Sequence, residues 1–253
     1  MRVIKIGGRA QNDSRLAPAI AAAWNEAPGS LCLVHGGGDG ISELQRALGI
    51  EPAFAGGRRV TGEGDIHAVR MALSGSANKL LVARLISAGV SAIGISGEDA
   101  ALITARAVDQ DTLGCVGAPE RVDVRLLRHL LDGGYLPVLS PLSRDIDSLA
   151  GRALNVNGDD AASAIAVALG ASELLLVADV PGVMIDGDVA RTLDAESTDT
   201  WIERRIATGG MAAKLQAAAA ALGGGVERVR IGDIQAILDP AAGTTLVPSR
   251  SFA

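Results

Sequence analysis

Short, continuous apolar runs alternate with amphipathic stretches along most of the chain. The runs fall at residues 3–6, 31–35, 91–96, 101–107, 135–140, 173–179 and 226–231. Helical spacing, with apolar residues recurring every three or four positions, occupies residues 15–26, 41–48, 65–88, 124–131, 160–169 and 211–222. Strands that are apolar on both faces and joined through helices predict a mainly parallel sheet covered on both sides. The fold class expected is therefore α/β, a three-layer αβα sandwich. Residues 101–122 break the alternation with strand and turn signals but little helical pattern, so hairpins at one sheet edge are expected there. A second hairpin is expected after the 173–179 strand, because turn signals at 180–182 and 185–188 flank Val183-Met184. No linker, repeat or low-complexity segment interrupts the chain apart from an alanine run at 217–221, a strong helix former.

One segment concentrates polar groups at the mouth of an apolar helix: Leu154-Asn155-Val156-Asn157-Gly158-Asp159-Asp160-Ala161-Ala162. A helix starting near Gly158 carries Ala161, Ala162, Ile165, Ala166 and Leu169 on one stripe. Asp159 and Asp160 suit its N-cap and first turn, where the helix dipole favours negative charge. That role leaves both asparagines unexplained. Asn155 and Asn157 lie two residues apart on an extended segment and project to the same side, an arrangement suited to fixing a polar small molecule.

Glycine clusters follow the first two strands, Gly7-Gly8 and then Gly36-Gly37-Gly38 with Gly40. In parallel sheets ligands gather where strands end and helices begin. There, glycine lets the backbone approach an anion and aim its amides at it. A glycine pair also serves as an ordinary turn; three in a row exceed what a turn requires. The standard nucleotide signatures, a G-x-x-x-x-G-K-[ST] loop and a G-x-G-x-x-G after the first strand, are missing, as is a G-x-S-x-G elbow. His35, His67 and His129 lack metal-ligand spacing.

Positive charge is mostly arginine, and the three lysines stand apart. Lys5 lies inside an apolar strand, where a charge is expensive unless paired or used. Lys214 follows Thr208-Gly209-Gly210-Met211 near a helix start, where the dipole disfavours cations. Lys79, inside the 65–88 helix, has an ordinary solvated or capping role.

The 253 residues suffice for one large or two small domains, and 48% hydrophobic content fills a core, although only 2% is aromatic. A net charge of −6, with no basic cluster, argues against nucleic acid. Cys32 and Cys115 sit far apart in apolar runs, as buried free thiols of a reducing cytosol do. The apolar stretch at 3–6 is too short for a signal peptide, and Glu173 divides the longest apolar region, so no membrane span is expected.

Taken in order, Ile4-Lys5-Ile6-Gly7-Gly8, His35-Gly36-Gly37-Gly38, Gly57-Arg58-Arg59-Val60-Thr61, Ala77-Asn78-Lys79, Ser96-Gly97-Glu98-Asp99, Asn155-Val156-Asn157-Gly158-Asp159 and Gly209-Gly210-Met211-Ala212-Ala213-Lys214 resemble the amino acid kinase family over nearly the whole chain. The nearest branch is the one that phosphorylates N-acetyl-L-glutamate. The resemblance implies transfer from ATP, with Mg²⁺ carried by the nucleotide rather than by a protein metal site, to the side-chain carboxylate of an acylated acidic amino acid. It implies Lys5 and Lys214 as the charges that stabilise the phosphoryl group in flight, and Asp159 as the acid that holds both. Gly37, Gly38, Arg59 and Asn155 are then substrate contacts, with Arg59 on the α-carboxylate. Gly7, Gly8, Asp179, Gly182, Val183, Met184, Ile206, Thr208, Gly210 and Met211 fall on the nucleotide side.

It further implies an N-terminal lobe at residues 1–172, for the acyl amino acid and dimerisation, and a nucleotide lobe at 173–253. A cytoplasmic homodimer without arginine feedback is expected, because only Met1 and Arg2 precede the first strand. The stretch Arg230-Ile231-Gly232-Asp233-Ile234-Gln235 is shorter and poorer in His and Arg than in many relatives. Three other readings stay open: aminoadipate or glutamate bound to a carrier protein as substrate, N-succinylglutamate as substrate, and a catalytically silent nucleotide-binding regulator.

Overall fold

The computed structural model describes residues 1–204 and 207–248. Among these residues the main sheet has eleven strands, numbered in chain order. They are β1 Arg2–Ile6, β2 Leu31–His35, β3 Ala92–Gly97, β4 Ile103–Ala107, β5 Val116–Val122 and β6 Leu136–Asp145, then β7 Ala153–Val156, β8 Glu173–Val177, β9 Thr192–Asp194, β10 Arg228–Gly232 and β11 Thr244–Val247. The order across the sheet is β9-β11-β10-β8-β1-β2-β6-β4-β5-β7, with β3 paired to β6. The central ladder β10-β8-β1-β2-β6 is parallel throughout, whereas β4 with β5, β6 with β7 and β10 with β11 run antiparallel. Strand β6 changes partners near Pro141: the residues before it pair with β2 and β3, and those after it with β4 and β7, although β3 also reaches Ser143 across a register shift. Proline lacks the N–H that would continue a ladder, so the chain changes partners there.

Long helices cover the sheet: α1 Leu16–Glu26, α2 Gly38–Ala47, α4 Arg125–Asp132, α5 Gly158–Leu169 and α6 Gly209–Gly223. The stretch expected as one helix at 65–88 is continuous but composite, and is called α3: Asp65–Val69, a π-helical Arg70–Ala77, then Asn78–Ser87. Two apolar clusters lie on opposite faces. Val3, Val34, Leu174 and Leu176 pack with Ala162, Ile165 and Leu215 on one. Ile4, Ile6, Leu33 and Leu175 pack with Ile20 and Trp24 on the other. Alternation along β1 thus sets Lys5 on the Val3 face, under α5 and α6. Helix α3 serves both, with Val69 and Leu73 in the first cluster and Leu81 and Leu85 in the second. The wider π-turn shifts the stripe between them.

Both expected hairpins are present, Met184–Ile185 with Asp188–Val189 separate from the main sheet and β4 with β5 within it, but the latter is not at an edge, because β4 also pairs with β6 and β5 with β7. A third hairpin, Phe54–Ala55 with Arg58–Arg59, was not expected. Its turn residues Gly56 and Gly57 have φ of 55° and 77°, the left-handed pair that a tight two-residue turn requires. The short strands β7, β9 and β11 were also absent from the pattern. Cys32 and Cys115 are free and buried, and burial pushes the Cys32 thiol up to about 12. No helix among the described residues is long and apolar enough to cross a membrane.

Candidate functional site

Lys5 lies at the C-terminal end of the central strand β1, with Val34 of β2 and Leu176 of β8 as its register partners. Its ammonium stands 2.9 Å from Asp159 Oδ1, and Lys214, on α6, stands 3.2 Å from Asp159 Oδ2. One carboxylate in the first turn of α5 therefore bridges two amines more than 200 residues apart in sequence. All three side chains are nearly buried. Burial alone would raise the Asp159 carboxyl, but the two ammonium groups outweigh it and hold the group below its ordinary value. Lys214 is held below the usual lysine range, by burial first and the neighbouring Lys5 charge second, with Asp159 opposing both.

Asn157, not Asp159 or Asp160, is the N-cap of α5. Its Oδ1 accepts from the Asp159 N–H at 2.7 Å. That cap leaves the Asp159 carboxylate free for the lysines and the Asp160 carboxylate free to take Arg58 at 3.1 Å. Gly158 makes room for the cluster: a Cβ there would come within 3.2 Å of Lys5 Cε.

A cavity of about 250 Å³ opens beside this trio, walled by Lys5, Gly8, Gly37, Gly38, Arg59, Asn155 and Asp159 among others. The two glycine clusters meet here. A Cβ on Gly8 would lie 3.7 Å from Gly38 N, and one on Gly37 would strike Leu73 Cδ1 at 2.8 Å. Close packing thus explains Gly37, the middle glycine of the run, whereas a Cβ on Gly36 would make only ordinary contacts and one on Gly38 would meet nothing within 4 Å. Helix α2 starts from Gly37 with no side-chain cap, so no side chain takes up its first amides.

Supporting polar groups escaped the sequence reading. Gly36 O accepts from Gln11 Nε2 at 2.5 Å and from His35 Nδ1 at 2.8 Å. Asn78 Nδ2 donates to His35 Nε2 at 2.9 Å and to Val138 O at 2.9 Å. His35 is fully buried, and burial lowers its pKa to about 4, so the ring is neutral near pH 7. Lys79 reaches the Gly94 carbonyl at 2.7 Å. Their signal was faint, since a histidine before a glycine run and an asparagine inside a helix acquire a role only once β2, β3 and α3 are assembled.

Arg59 sits under the 54–59 hairpin with its guanidinium over the Phe54 ring, 4.7 Å from the centroid. Its Nη1 donates to Gln45 Oε1 at 2.6 Å, and its Nη2 to Gly38 O and Ser42 Oγ at 2.8 Å each. Asn155 donates to Thr61 Oγ1 at 3.1 Å.

Of the described positions expected on the nucleotide side, Gly8 alone is brought into this wall. The Gly7 N–H donates to Val177 O at 3.1 Å, tying the turn to β8. Asp179 pairs with Arg9 at 2.7 Å on the surface. Gly182 is packed against Val189 and Thr244, and the Val183 N–H donates to Thr244 Oγ1 at 2.8 Å. Met184 begins the small exposed hairpin. Thr208, Gly210 and Met211 form the start of α6, the helix that carries Lys214, and Thr208 makes no side-chain cap. Ile206 lies outside the described residues.

The sequence profile of the amino acid kinase family matches residues 1–233. Among curated relatives, acetylglutamate kinase of Roseiflexus sp. (strain RS-1) is 42% identical over 98% of this chain and 94% of its own length. The acetylglutamate kinase of Geobacillus kaustophilus is 40% identical over 90% and 88%. Among solved structures, a protein from Streptococcus mutans UA159 superposes with a TM-score of 0.88 at 32% identity, covering 97% of this chain and 98% of that one.

Proposed function

The chain belongs to the amino acid kinase family, and from that premise we propose that it phosphorylates the side-chain carboxylate of N-acetyl-L-glutamate at the expense of ATP. The observation that carries the reading is the Lys5–Asp159–Lys214 cluster at the edge of a small cavity lined with glycine and arginine. Relatives named acetylglutamate kinase, aligned over nearly the full length, support the substrate and the step in arginine biosynthesis.

The chemistry follows from charge. A glutamate carboxylate titrates near 4.3 and is already ionised at neutral pH, so the nucleophile needs no base. One carboxylate oxygen forms a bond to the γ-phosphorus while the bond from that phosphorus to the bridging β,γ-oxygen breaks. ADP leaves with the electron pair, and the product is an acyl phosphate. The barrier lies in bringing an anion onto an anionic phosphoryl group, and positive charge aimed at that group lowers it. Lys5 and Lys214 supply this charge from fixed positions, and Asp159 keeps their amines from separating. Gly8, Gly37 and Gly38 add backbone amides, while Arg59 and Asn155 orient the substrate. Both Asp159 oxygens are taken by the lysines and so would not hold a metal, and a Mg²⁺ ion carried by the nucleotide would supply further positive charge.

In this reading residues 1–172 bind the acyl amino acid and residues 173–253 the nucleotide, through Gly7 and Gly8 from the first part and Asp179, Gly182, Val183, Met184, Thr208, Gly210 and Met211 from the second. The uncapped start of α6 supports a phosphate there, two turns or less from Lys214. We place the enzyme in the cytoplasm as a homodimer joined through the N-terminal part, a setting that the two free thiols fit.

The test is ADP release with N-acetylglutamate, N-succinylglutamate, carrier-bound aminoadipate and no acceptor. Release only with N-acetylglutamate is expected, and equal release without any acceptor would refute the assignment.

A further inference from the structure

His35 ends β2 and is followed directly by the glycine run. It is fully buried, as is Asn78 of α3, and Gln11, on the short turn Arg9–Asn12, is nearly so. The network these three form has one consistent placement of protons. Val138 O can only accept, so the Asn78 group 2.9 Å from it is the amide NH₂, and the same nitrogen donates to His35 Nε2 at 2.9 Å. The other Asn78 atom, Oδ1, accepts from Lys79 at 3.2 Å. His35 Nε2 therefore carries no proton. The ring proton sits on Nδ1 and is given to Gly36 O at 2.8 Å, again a group that only accepts. Burial keeps the ring neutral near pH 7, as the arrangement requires, since a second ring proton would face the Asn78 NH₂. Gly94 leaves room for the network: a Cβ there would overlap Asn78 Oδ1.

Gln11 Nε2 donates to the same Gly36 oxygen at 2.5 Å. Two donors on one carbonyl fix the plane of the Gly36–Gly37 peptide, which two glycines would otherwise hold loosely. In a planar trans peptide the N–H points opposite to the C=O. Gly37 stands between two cavities, in the wall of each, whereas Gln11, toward which the C=O is turned, lines only the neighbouring one. The Gly37 N–H is thus turned away from Gln11, and it donates to no group among the described residues. We propose that His35 is a positioning residue for phosphoryl transfer: with Gln11 and Asn78 it sets the Gly36–Gly37 peptide so that the Gly37 amide is aimed into the site at the transferring group. The inference rests on the function proposed above. A donor fixed in advance needs no reorganisation as charge develops, so its effect falls on kcat.

His35→Leu removes the donor to Gly36 O, whereas His35→Asn keeps an amide N–H near the place of Nδ1. The kcat of His35→Leu, per folded molecule as measured by urea unfolding, is expected to fall about 10- to 100-fold, with KM for N-acetylglutamate and ATP within about threefold of wild type. His35→Asn is expected to recover at least about fivefold of that loss, which a mere loss of packing would not allow. Gln11→Leu, at the edge of the fold, removes the second donor and is expected to lower kcat about 3- to 10-fold, so the inference stays testable if His35→Leu does not fold. Imidazole ¹⁵N spectra of the wild type, with the His35 signal identified by its loss in His35→Asn, should show the proton on Nδ1. A kcat within twofold of wild type in both His35→Leu and Gln11→Leu, equal losses in the Leu and Asn variants of His35, or a proton on Nε2 would overturn the inference. Wild-type enzyme that releases no ADP would sink the proposed function, whereas an active wild type with unaffected variants sinks only this step.

Discussion

Replacing Asp159 by Asn is the most searching perturbation of the site, because it removes one charge and almost no volume. Lys5 and Lys214 approach the same oxygen, at 2.9 and 3.4 Å, so their nitrogens lie no more than about 6 Å apart. Two like charges at that separation repel by about 3 kcal/mol at an effective dielectric constant of 20. In the native enzyme Asp159 offsets that repulsion. Without it, Lys214, which burial and Lys5 already hold below 10.5, is the amine that gives up its proton. The variant should lose about 10²–10³ in kcat, as when one preorganised donor is removed from a transition state. Its activity should also fall toward alkaline pH sooner than that of wild type, since the active form needs both lysines charged. Coupled ADP release across pH 6–9.5, with urea unfolding to verify the fold, measures both. A kcat within threefold of wild type and a flat profile to pH 9 would refute the assignment of Asp159 as the clamp.

Gly158→Ala tests the spacing of the same cluster: the added Cβ would press on Lys5 Cε at 3.2 Å, so kcat should fall about tenfold while helix propensity keeps stability equal or slightly higher. An unchanged kcat would show that Lys5 has slack. His35 should make stability depend on pH. Its folded value of about 4 lies below the ordinary 6.5, so between those values the unfolded chain binds the proton and the native chain does not. Stability from this group is complete above pH 6.5 and should decline by about 3 kcal/mol as pH falls toward 4. Urea midpoints at pH 7 and 4.5 should show that loss in wild type and a smaller one in His35→Gln; identical slopes would count against it.

The layered fold was legible because strands and helices of ordinary length carry their period openly. The apolar runs around Val3, Leu33, Leu139 and Leu175 could only be buried on both sides. What escaped was short or set by distant partners. Strand Ala153–Val156 spans four residues and includes an asparagine, and Thr192–Asp194 exists because Thr244–Val247 arrives beside it. The Phe54–Arg59 hairpin has two-residue arms that no periodicity can reveal. At the site, Lys5 announced itself as a charge in an apolar strand. Gln45, Asn78 and Arg58 did not, because a polar residue on a helix or hairpin looks solvated until the wall it faces is known. Both asparagines line the cavity, but Asn157 also spends its Oδ1 on capping the helix.

The amine–acid trio is drawn from a central strand and two separate helices, and no one of these segments positions the others without the intervening sheet. Turnover is therefore an all-or-none report on the completed molecule. A partly folded chain cannot be partly active, so specific activity through a denaturation curve should track the fraction of native molecules and nothing finer.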